Sequence, residues 1–367
     1  MSAARETRGD GSETYVIAGG GTGGHLYPGI AIAEELQRRR QAARIVFAGR
    51  GLPLERAIVT RHGYELVAVR SGGLVGKSPG QRMKGAFLAL RGWFEAMALL
   101  GRLRPRAVIG VGGYASGPVV LAAAARRIPT LIQEQNAVPG LTNRLLSRFV
   151  TTIAVTFDDT RRYFGGRGVT TGNPIRAEFA SVPRRRRASR FEVLIFGGSQ
   201  GARALNNAMF DALPLLAPVK TELRIVHGTG ESDAARAREI YSAAGIHAEV
   251  RPYITDILDA YMRANLVVAR SGASTCSELA ACGRASILVP LPTSAHDHQK
   301  KNAERLAERG AALLMEEKGL TGATLAGAIL GLIRDPDRVA TMETAAAGLA
   351  RPDAAARIVD LVARLAW

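Results

Sequence analysis

The first residues of this sequence that can support chemistry form a glycine-rich stretch followed by a histidine. Residues 17–29 read IAGGGTGGHLYPG: an apolar strand leads into five glycines among six residues, then His25, then a helix expected to begin at Pro28. The first backbone N–H groups of a helix have no partner within it and lie at the positive end of its dipole, which suits an anion. An imidazole beside them can take up a proton near neutral pH. The stretch therefore predicts an anion site with an acid–base group at its edge.

The same glycines also fit a dinucleotide site. Gly19, Gly21 and Gly24 have the fingerprint spacing and follow the strand TYVIAG, which points to a nicotinamide enzyme. An NAD site needs a carboxylate near the end of the next strand, yet RIVFAGR ends in Gly49 and Arg50. Arg50 can face a 2′-phosphate, so NADP is disfavoured less than NAD. A purely structural tight turn is the third alternative.

Two more glycine loops occur along the chain. The strand FEVLIF leads into GGSQGARAL at 197–205, and IGVGGYASGP lies at 109–118. Two anionic ligands, one for each half of the chain, would account for all three loops. A metal is not expected, because the pair His296 and His298 lacks an evident third ligand and no Asp-x-Asp follows a strand.

The elements that must position these loops are alternating strands and helices. Strands rich in Val and Ile indicate parallel sheets covered on both faces. We predict them at 14–19, 44–49, 64–69, 107–112, 130–134, 152–156, 192–197, 222–227, 248–251, 266–270, 285–290 and 311–315. The fold class is therefore α/β, with two doubly wound Rossmann-like domains facing a central cleft, where open α/β sheets bind ligands.

The predicted domain boundaries follow from a break in this alternation. TGNPIRAEFASVPRRRRASR, at 171–190, contains two prolines and four consecutive arginines and reads as a linker. We assign 1–13 to a disordered tail, 14–172 to an N-terminal domain and 173–345 to a C-terminal domain. The C-terminal helix, about 346–367, is expected to pack back on the first domain. The polar start lacks an apolar signal-peptide region, so we expect the protein to stay inside the cell.

Composition narrows the class of protein. The chain has 367 residues, 47% of them hydrophobic, which suits two domains. Its formal charge is +17, but only 6 of the 49 basic residues are lysine and aromatic residues make up 5%, so nucleic-acid binding is not expected. Cys276 and Cys282 suit neither a disulfide framework nor a metal pair.

Seven ordered motifs resemble those of the MurG-type transferases. They are GGTGGHLYPG (20–29), GVGGYASGP (110–118), EQNAVPGLTNRLL (134–146), TGNPIR (171–176), GGSQGARALN (197–206), RSGAST (270–275) with Glu278, and DHQKKNA (297–303). The family adds N-acetylglucosamine (GlcNAc) from UDP-GlcNAc to the undecaprenyl-linked muramyl-pentapeptide of bacterial peptidoglycan. The resemblance implies a GT-B fold, inverting transfer, no cofactor or metal, and partners limited to UDP-GlcNAc, the lipid-linked acceptor and an anionic membrane surface.

The resemblance also implies residue roles. His25 is the expected general base, the alternative being that it only positions the acceptor, and Glu134 is the second catalytic candidate. The implied donor-binding residues are Thr22, Gly23, Asn136, Arg176, Ser199, Gln200, Ile254, Arg270, Ser271, Glu278, Gln299 and Asn302. The implied acceptor-binding residues are Gly20, Gly21, Gly24, Tyr114 and Asn136. Three of the donor contacts have alternatives. Arg176 could be a solvated arginine of the linker, and Glu278 a solvated carboxylate on a helix. Ile254, whose backbone could meet uracil, could equally be plain core.

One position departs from the family. Gln133 stands where the family usually has a histidine before Glu-Gln-Asn. A glutamine keeps a hydrogen-bond donor and acceptor but cannot take up a proton near neutral pH. A catalytic role for this position is therefore not expected here.

A basic, partly apolar segment points to the membrane. Residues 74–106 carry seven Lys or Arg against Glu95 alone. A stripe at helical spacing, namely Met83, Phe87, Leu90, Phe94 and Met97, is predicted to face the core. Residues outside that stripe are the predicted membrane contacts, on the cytoplasmic face: Leu74, Val75, Trp93, Lys77, Lys84 and Arg91. The alternative is a solvated arginine-rich helix.

Overall fold

The computed structural model describes residues 13–72, 79–179, 190–198 and 201–367. The chain forms two compact units. Unit 1 comprises Met1–Gln135, Pro139–Arg176 and Asp353–Trp367, and unit 2 comprises Asn136–Val138 and Ala177–Pro352. The predicted tail, apart from its last residue Glu13, and the linker arginines at 184–187 lie outside the described residues.

Each unit is built on one sheet whose strands all run parallel. The strands of unit 1 are β1 Thr14–Ala18, β2 Arg44–Gly49, β3 Glu65–Ala68, β4 Ala107–Gly110, β5 Thr130–Glu134, β6 Thr152–Val155 and β7 Val169–Thr170. Those of unit 2 are β8 Phe191–Phe196, β9 Leu223–Gly228, β10 Ala248–Arg251, β11 Leu266–Ala269, β12 Ser286–Leu288 and β13 Ala312–Leu314. The central strands have near-continuous apolar sequences that match burial on both faces, whereas the edge strands β3, β7 and β10 are only partly buried.

The strand orders place one switch point in each unit. Among the described residues they are β3-β2-β1-β4-β5-β6-β7 and β10-β9-β8-β11-β12-β13. The chain reverses direction across the sheet between β1 and β4, and again between β8 and β11. Ligands of doubly wound sheets bind beyond the carboxyl ends of strands at such points. The three glycine-rich loops follow β1, β4 and β8 and so lie where ligand binding is expected.

Helices cover the sheets and complete the cores. They are α1 Gly23–Arg39, α2 Pro53–Arg61, α3 Pro79–Leu103, α4 Ser116–Ala125, α5 Leu141–Leu146, α6 Arg203–Leu216, α7 Ala234–Ala244, α8 Ile257–Arg263, α9 Ala273–Cys282, α10 His298–Glu308, α11 Gly322–Ile333, α12 Pro336–Gly348 and α13 Ala354–Ala366. Short 3₁₀ helices lie at Asp158–Phe164, Ala177–Phe179, Ala217–Val219, Glu231–Asp233, Ala295–Asp297 and Glu317–Gly319. The C-terminal helix α13 belongs to unit 1, where Ile358, Val359 and Val362 join the core formed with α1, α2 and the sheet.

The first helix begins earlier than the sequence indicated. It starts at Gly23, with Thr22 as an extended N-cap, so the predicted start at Pro28 is wrong and the proline lies inside the helix. Pro28 has no N–H to donate to the carbonyl of Gly24, one turn earlier. Placing the start at Gly23 puts His25 in the first turn of α1, next to the unpaired N–H groups of the helix N-terminus.

Helix α3 does not bury most of the stripe that was predicted to face the core. Phe87, Leu90 and Phe94 are 63%, 55% and 61% exposed, so the prediction is wrong for these three residues. It is confirmed for Met97, and the side chain of Met83 lies outside the described residues. The buried face instead carries small residues: a Cβ added at Gly92 would overlap the carbonyl oxygen of Arg70. Close backbone approach therefore decides which side of α3 faces inward, because only small residues allow it.

Trp93 and Met97 lie on the inward side of α3. Both are partly buried against the core beneath α3 and α4. Trp93, predicted as a surface contact, is thus part of the packing of unit 1.

Candidate functional site

Two glycine loops of unit 1 pack against each other at the switch point. The loop after β1 contains Gly20, and the loop after β4 contains Gly112 and Gly113. A Cβ added at Gly113, whose φ is +79°, would overlap the carbonyl oxygen of Gly20. Glycine is needed here both for the backbone angle and for the close approach of two main chains.

The imidazole of His25 lies against the second of these loops. A Cβ added at Gly112 would be 2.8 Å from His25 Nδ1 and 3.0 Å from its Cε1. The same point is 3.4 Å from Oε1 of Gln135, whose Nε2 donates a 2.6 Å hydrogen bond to the carbonyl of Val111. The histidine ring, partly exposed, is thus held between α1 and the loop after β4.

The predicted anion site at the start of α1 is only partly open. Gly23 and Gly24 hold the first two positions of the helix, where N–H groups have no intrahelical partner, and Thr22 is exposed. The N–H of Gly21, however, donates a 2.7 Å hydrogen bond to Oε1 of Glu55. Among the predicted acceptor contacts, Gly21 therefore uses its N–H in a hydrogen bond within the protein, whereas Gly24 and Tyr114 are exposed.

Glu55 was not among the residues predicted from the sequence. Its side chain is fully buried, and Oε2 accepts a 3.1 Å hydrogen bond from the N–H of Leu52. The available signal was LPLE at 52–55, a proline at the first position of a helix and a glutamate at the third. That signal predicts a helix start but not the bond to Gly21, which lies 34 residues away.

The Glu-Gln-Asn segment after β5 is held by internal hydrogen bonds. Oε2 of Glu134 accepts from Nδ2 of Asn143 at 2.9 Å and from the N–H of Gly140 at 3.1 Å, and the residue is buried. Gln133 donates from Nε2 to Oδ1 of Asn173 at 3.2 Å, also buried. Gln133 thus connects β5 to the TGNPIR segment, as a hydrogen-bonding amide can.

Arg176 ends the TGNPIR segment and belongs to unit 1. Its guanidinium carbon lies 5.1 Å from the centre of the Tyr27 ring, a cation–π distance. Tyr27 is in α1, two residues after His25. Arg176 therefore supplies a fixed, partly exposed positive charge close to the first turns of that helix.

The glycine loop of unit 2 connects β8 to α6. Ser199 and Gln200, the predicted phosphate contacts, lie outside the described residues. Gly198 and Gly201 on either side have φ values of +92° and +72°, and Gly201 N–H donates to Gly198 carbonyl at 3.0 Å. A Cβ added at Gly201 would overlap the carbonyl oxygen of Thr229, which fixes this loop against the loop after β9.

A buried polar network behind this loop was also missed. Nδ2 of Asn206 donates to the Thr229 carbonyl at 2.8 Å and to Oδ2 of Asp233 at 2.7 Å. Oδ1 of Asn206 can only accept, so Nε2 of His227, at 3.1 Å, carries its proton, and Nδ1 accepts from the Tyr241 hydroxyl at 2.9 Å. Burial lowers the pKa of His227 to about 3, so the ring stays neutral.

Arg270 of RSGAST is engaged by the protein itself. Nη1 donates to the carbonyls of Val289 and Pro290 at 3.2 and 3.1 Å, and Nη2 pairs with Glu317. Arg270 therefore holds the segment after β12, and its predicted contact with the donor stays a prediction. The neighbouring Ser271 is buried and donates to the carbonyl of Gln299 at 2.8 Å.

Asn302 connects three segments of unit 2. Its Oδ1 accepts from Ala137 N–H at 3.0 Å, and its Nδ2 donates to Oδ1 of Asn136 and to the Ser271 carbonyl, both at 3.2 Å. The side chain is fully buried. Gln299, one turn earlier, is partly exposed and accepts from the Leu291 N–H at 3.0 Å. Of these two amides, Gln299 is the more accessible to a ligand.

Glu278 and Ile254 are the remaining donor-side predictions. Glu278 in α9 lies at the edge of burial, 9% exposed, and Oε2 accepts from the Tyr261 hydroxyl at 3.3 Å. The Ile254 side chain is buried, with Cδ1 3.0 Å from the point that a Cβ on Gly228 would occupy. The side chain of Ile254 is thus part of the core, and the predicted contact of its backbone with the uracil of the donor stays a prediction.

The His-x-His stretch forms a strained turn. His296 and Asp297 both have left-handed backbone angles, with φ of +53° and +54°, just before α10. Nδ1 of His298 lies 2.8 Å from the Ala295 carbonyl, and burial lowers its pKa. Across the ranges given above for the described chain, no three His, Cys, Asp or Glu side chains gather into a metal-binding group.

Few of the predicted membrane contacts can be placed. Leu74, Val75 and Lys77, and the side chain of Lys84, are outside what the structure describes. Arg91 is exposed, 3.9 Å from Glu95, which also pairs with Arg70. Over the described part of the chain, no helix combines the length and apolar character needed to cross a bilayer.

Two parallel-sheet α/β units, each with a glycine loop at its switch point, define the class of GT-B glycosyltransferases. Residues 15–155 match the glycosyltransferase family 28 N-terminal domain and residues 192–358 match the glycosyltransferase family 28 C-terminal domain. The chain belongs to glycosyltransferase family 28.

Similar proteins cover nearly the whole chain. The UDP-N-acetylglucosamine–N-acetylmuramyl-(pentapeptide) pyrophosphoryl-undecaprenol N-acetylglucosamine transferase of Myxococcus xanthus is 45% identical over 94% of this chain and 91% of that protein. The transferase of the same name from Geotalea uraniireducens is 42% identical over 95% and 97%. The crystal structure of Acinetobacter baumannii MurG has a TM-score of 0.79 and 31% identity, covering 96% of this chain and 99% of that one.

Proposed function

We propose that this protein transfers GlcNAc from UDP-GlcNAc to the 4-hydroxyl of an undecaprenyl-linked muramyl-pentapeptide, in bacterial peptidoglycan synthesis. The observation that carries the proposal is 42–45% identity, over 94–95% of the chain, to proteins named for this reaction. Inversion at the anomeric carbon takes one displacement, which needs a base for the hydroxyl proton and stabilisation of the leaving UDP.

On the acceptor side, we assign the base role to His25. Its ring is partly exposed, sits in the first turn of α1 and is held in place by the loop after β4. Glu134 is buried, and its Oε2 already accepts two hydrogen bonds. We therefore assign it a structural role, in which it holds the Glu-Gln-Asn segment in place. Of the predicted acceptor contacts, Gly24 and Tyr114 remain our candidates, and Gly23, predicted as a donor contact, presents its N–H group at the same helix start.

On the donor side, we assign Glu278 to the ribose hydroxyls and Gln299 to GlcNAc. We assign the start of α6 to the diphosphate, without a metal. Its backbone donors at a helix N-terminus suit a phosphate. The internal hydrogen bonds of Arg270, Ser271 and Asn302 favour positioning of the sugar-recognition segments over direct donor contact.

We further propose that the protein works at the cytoplasmic face of the membrane through an apolar face on α3. This face consists of the exposed Phe87, Leu90 and Phe94, with the exposed Arg91 among them. Helix α5, on the same side of the sheet, adds exposed Leu145. Apolar groups beside a basic side chain suit an interface with anionic lipid, where each basic residue adds about 1 kcal/mol.

The test is UDP release from UDP-GlcNAc, measured with and without a lipid-linked muramyl-pentapeptide and with and without EDTA. Acceptor-dependent, EDTA-insensitive release is expected. Release that needs no acceptor, or that EDTA abolishes, contradicts the proposal.

The base role is tested by His25→Ala and His25→Asn. Loss of a general base is expected to lower kcat by ~10²–10⁴-fold with donor affinity little changed, and the acidic limb of the kcat profile should disappear. Asparagine keeps a hydrogen bond but no basicity, so it should rescue little. If His25→Asn has near-normal kcat and an intact acidic limb, His25 only positions the acceptor.

A further inference from the structure

The buried carboxylate of Glu55 joins two elements that are far apart in the sequence. Oε2 accepts from the N–H of Leu52 at the start of α2, and Oε1 accepts from the N–H of Gly21 in the loop before α1. The first bond alone would serve as a helix cap. The second bond does not cap α2, because its donor is the N–H of Gly21, in the loop that leads to His25.

The surroundings of Glu55 are shaped to hold it. A Cβ added at Gly20 would overlap Oε1, and one added at Gly49 would be 3.0 Å from Oε2. Burying a carboxylate is costly unless hydrogen bonds and positive dipoles offset the cost. Two charge-assisted backbone bonds and the positive end of α2 supply that offset here.

A short series of contacts connects Glu55 to the histidine. The carboxylate fixes Gly20 and Gly21 on one side. The Gly20 carbonyl abuts Gly113 on the other side, and the neighbouring Gly112 abuts the His25 ring. A shift of the first loop would therefore move the second loop and the start of α1 together.

We propose that Glu55 is a positioning residue, whose buried carboxylate holds the two glycine loops of unit 1 so that the His25 imidazole keeps its productive place. The inference rests on the proposed base role of His25. Because the Gly21 N–H donates to Glu55, it is not offered to an anion. An anion would instead bind the N–H groups of Gly23 and Gly24 at the start of α1.

The test compares Glu55→Gln with Glu65→Gln, an equal change of charge at an exposed carboxylate of the same unit. Glutamine offers one acceptor oxygen, so its NH₂ group must meet either the Leu52 or the Gly21 N–H, and one of the two bonds is lost. The Glu55 variant should lose about 10- to 100-fold in kcat, since a misplacement near 1 Å can cost that much. Its UDP-GlcNAc affinity and the kinetics of Glu65→Gln should stay unchanged.

A second readout does not depend on transfer activity. In protein labelled with ¹³C-histidine, the resonance lost in His25→Asn identifies His25, one of six histidines. That resonance should change in position and titration in Glu55→Gln but not in Glu65→Gln. If no GlcNAc transfer is seen even for the unmodified protein, the proposed function fails, while this readout still decides the positioning role.

An unchanged His25 resonance in folded Glu55→Gln overturns the proposal, whatever happens to kcat. If Glu55→Gln does not fold, Glu55→Asp replaces it, because its carboxylate keeps the charge but is one methylene too short to accept from both the Leu52 and the Gly21 N–H. The same change at His25 is then expected, and its absence likewise overturns the proposal.

Discussion

Adding one methyl group at Gly112 is expected to displace the imidazole of His25. The new Cβ would be 2.8 Å from Nδ1 and 3.0 Å from Cε1, whereas non-bonded carbon contacts are comfortable near 3.5 Å. The ring must therefore move by roughly 0.7 Å. Because a 1 Å error at a reacting group can cost 10²-fold, Gly112→Ala should lower kcat by about tenfold or more.

The backbone angle of Gly112 requires a matched control. Its φ is +90°, so alanine there also carries a conformational cost of about 1–3 kcal/mol. Gly63, in the same unit, has φ of +79° and nothing within 4 Å of its Cβ position, so Gly63→Ala carries the angle cost without the clash. The assay is the kcat of UDP release at saturating acceptor, together with the thermal midpoint of each variant. If both variants lose kcat equally, the contact between Gly112 and His25 has no part in catalysis.

Three other outcomes are expected. Glu278→Ala should weaken UDP-GlcNAc binding in calorimetry while the fold survives, and unchanged affinity would remove Glu278 from the donor site. Phe87→Ser combined with Phe94→Ser should reduce binding to anionic vesicles but spare turnover on a soluble short-chain acceptor. Equal losses of turnover on the membrane-bound and the soluble acceptor would contradict a membrane role. Trp93→Ala, by contrast, should lower the thermal midpoint. Burial lowers the pKa of His227 from 6.5 to about 3. Its contribution to the free energy of unfolding is therefore complete above pH 6.5 and falls by about 1.4 kcal/mol per pH unit from there toward pH 3. His227→Gln should flatten this pH dependence of the free energy of unfolding, and an unchanged slope in the variant would refute the reasoning.

The sheets could be predicted because most of their strands are buried on both faces. Such strands read as short apolar runs, and each of the twelve predicted segments overlaps a strand of the structure. The strand that was missed, β7, has two residues, Val169 and Thr170, too few to show any pattern. The glycine loops were predictable for a similar reason, since glycines clustered after a strand have few other uses.

The orientation of α3 could not be predicted from its apolar periodicity. The helix has two apolar faces, one with Phe87, Leu90 and Phe94 and one with Ala96, Leu99 and Leu100. Hydrophobic spacing gives equal support to both. The decision rests on Gly92, where the backbone of Arg70 approaches too closely for any side chain, and that neighbour is distant in the sequence.

The hydrogen-bond partners of the polar motif residues could not be predicted from the sequence either. These partners divide the residues of the predicted site into two groups. Glu134, Arg270 and Asn302 spend hydrogen-bonding atoms on groups within their own unit. A buried polar group that gave up such a bond to a substrate would leave its partner unsatisfied, at about 1–3 kcal/mol. His25 and Tyr114, by contrast, are partly exposed beside the glycine loops. We therefore expect substitutions in the first group to lower the thermal midpoint and kcat together. Substitutions in the second group should lower kcat or raise the acceptor KM at an unchanged midpoint, because these side chains can reach a substrate without weakening the fold.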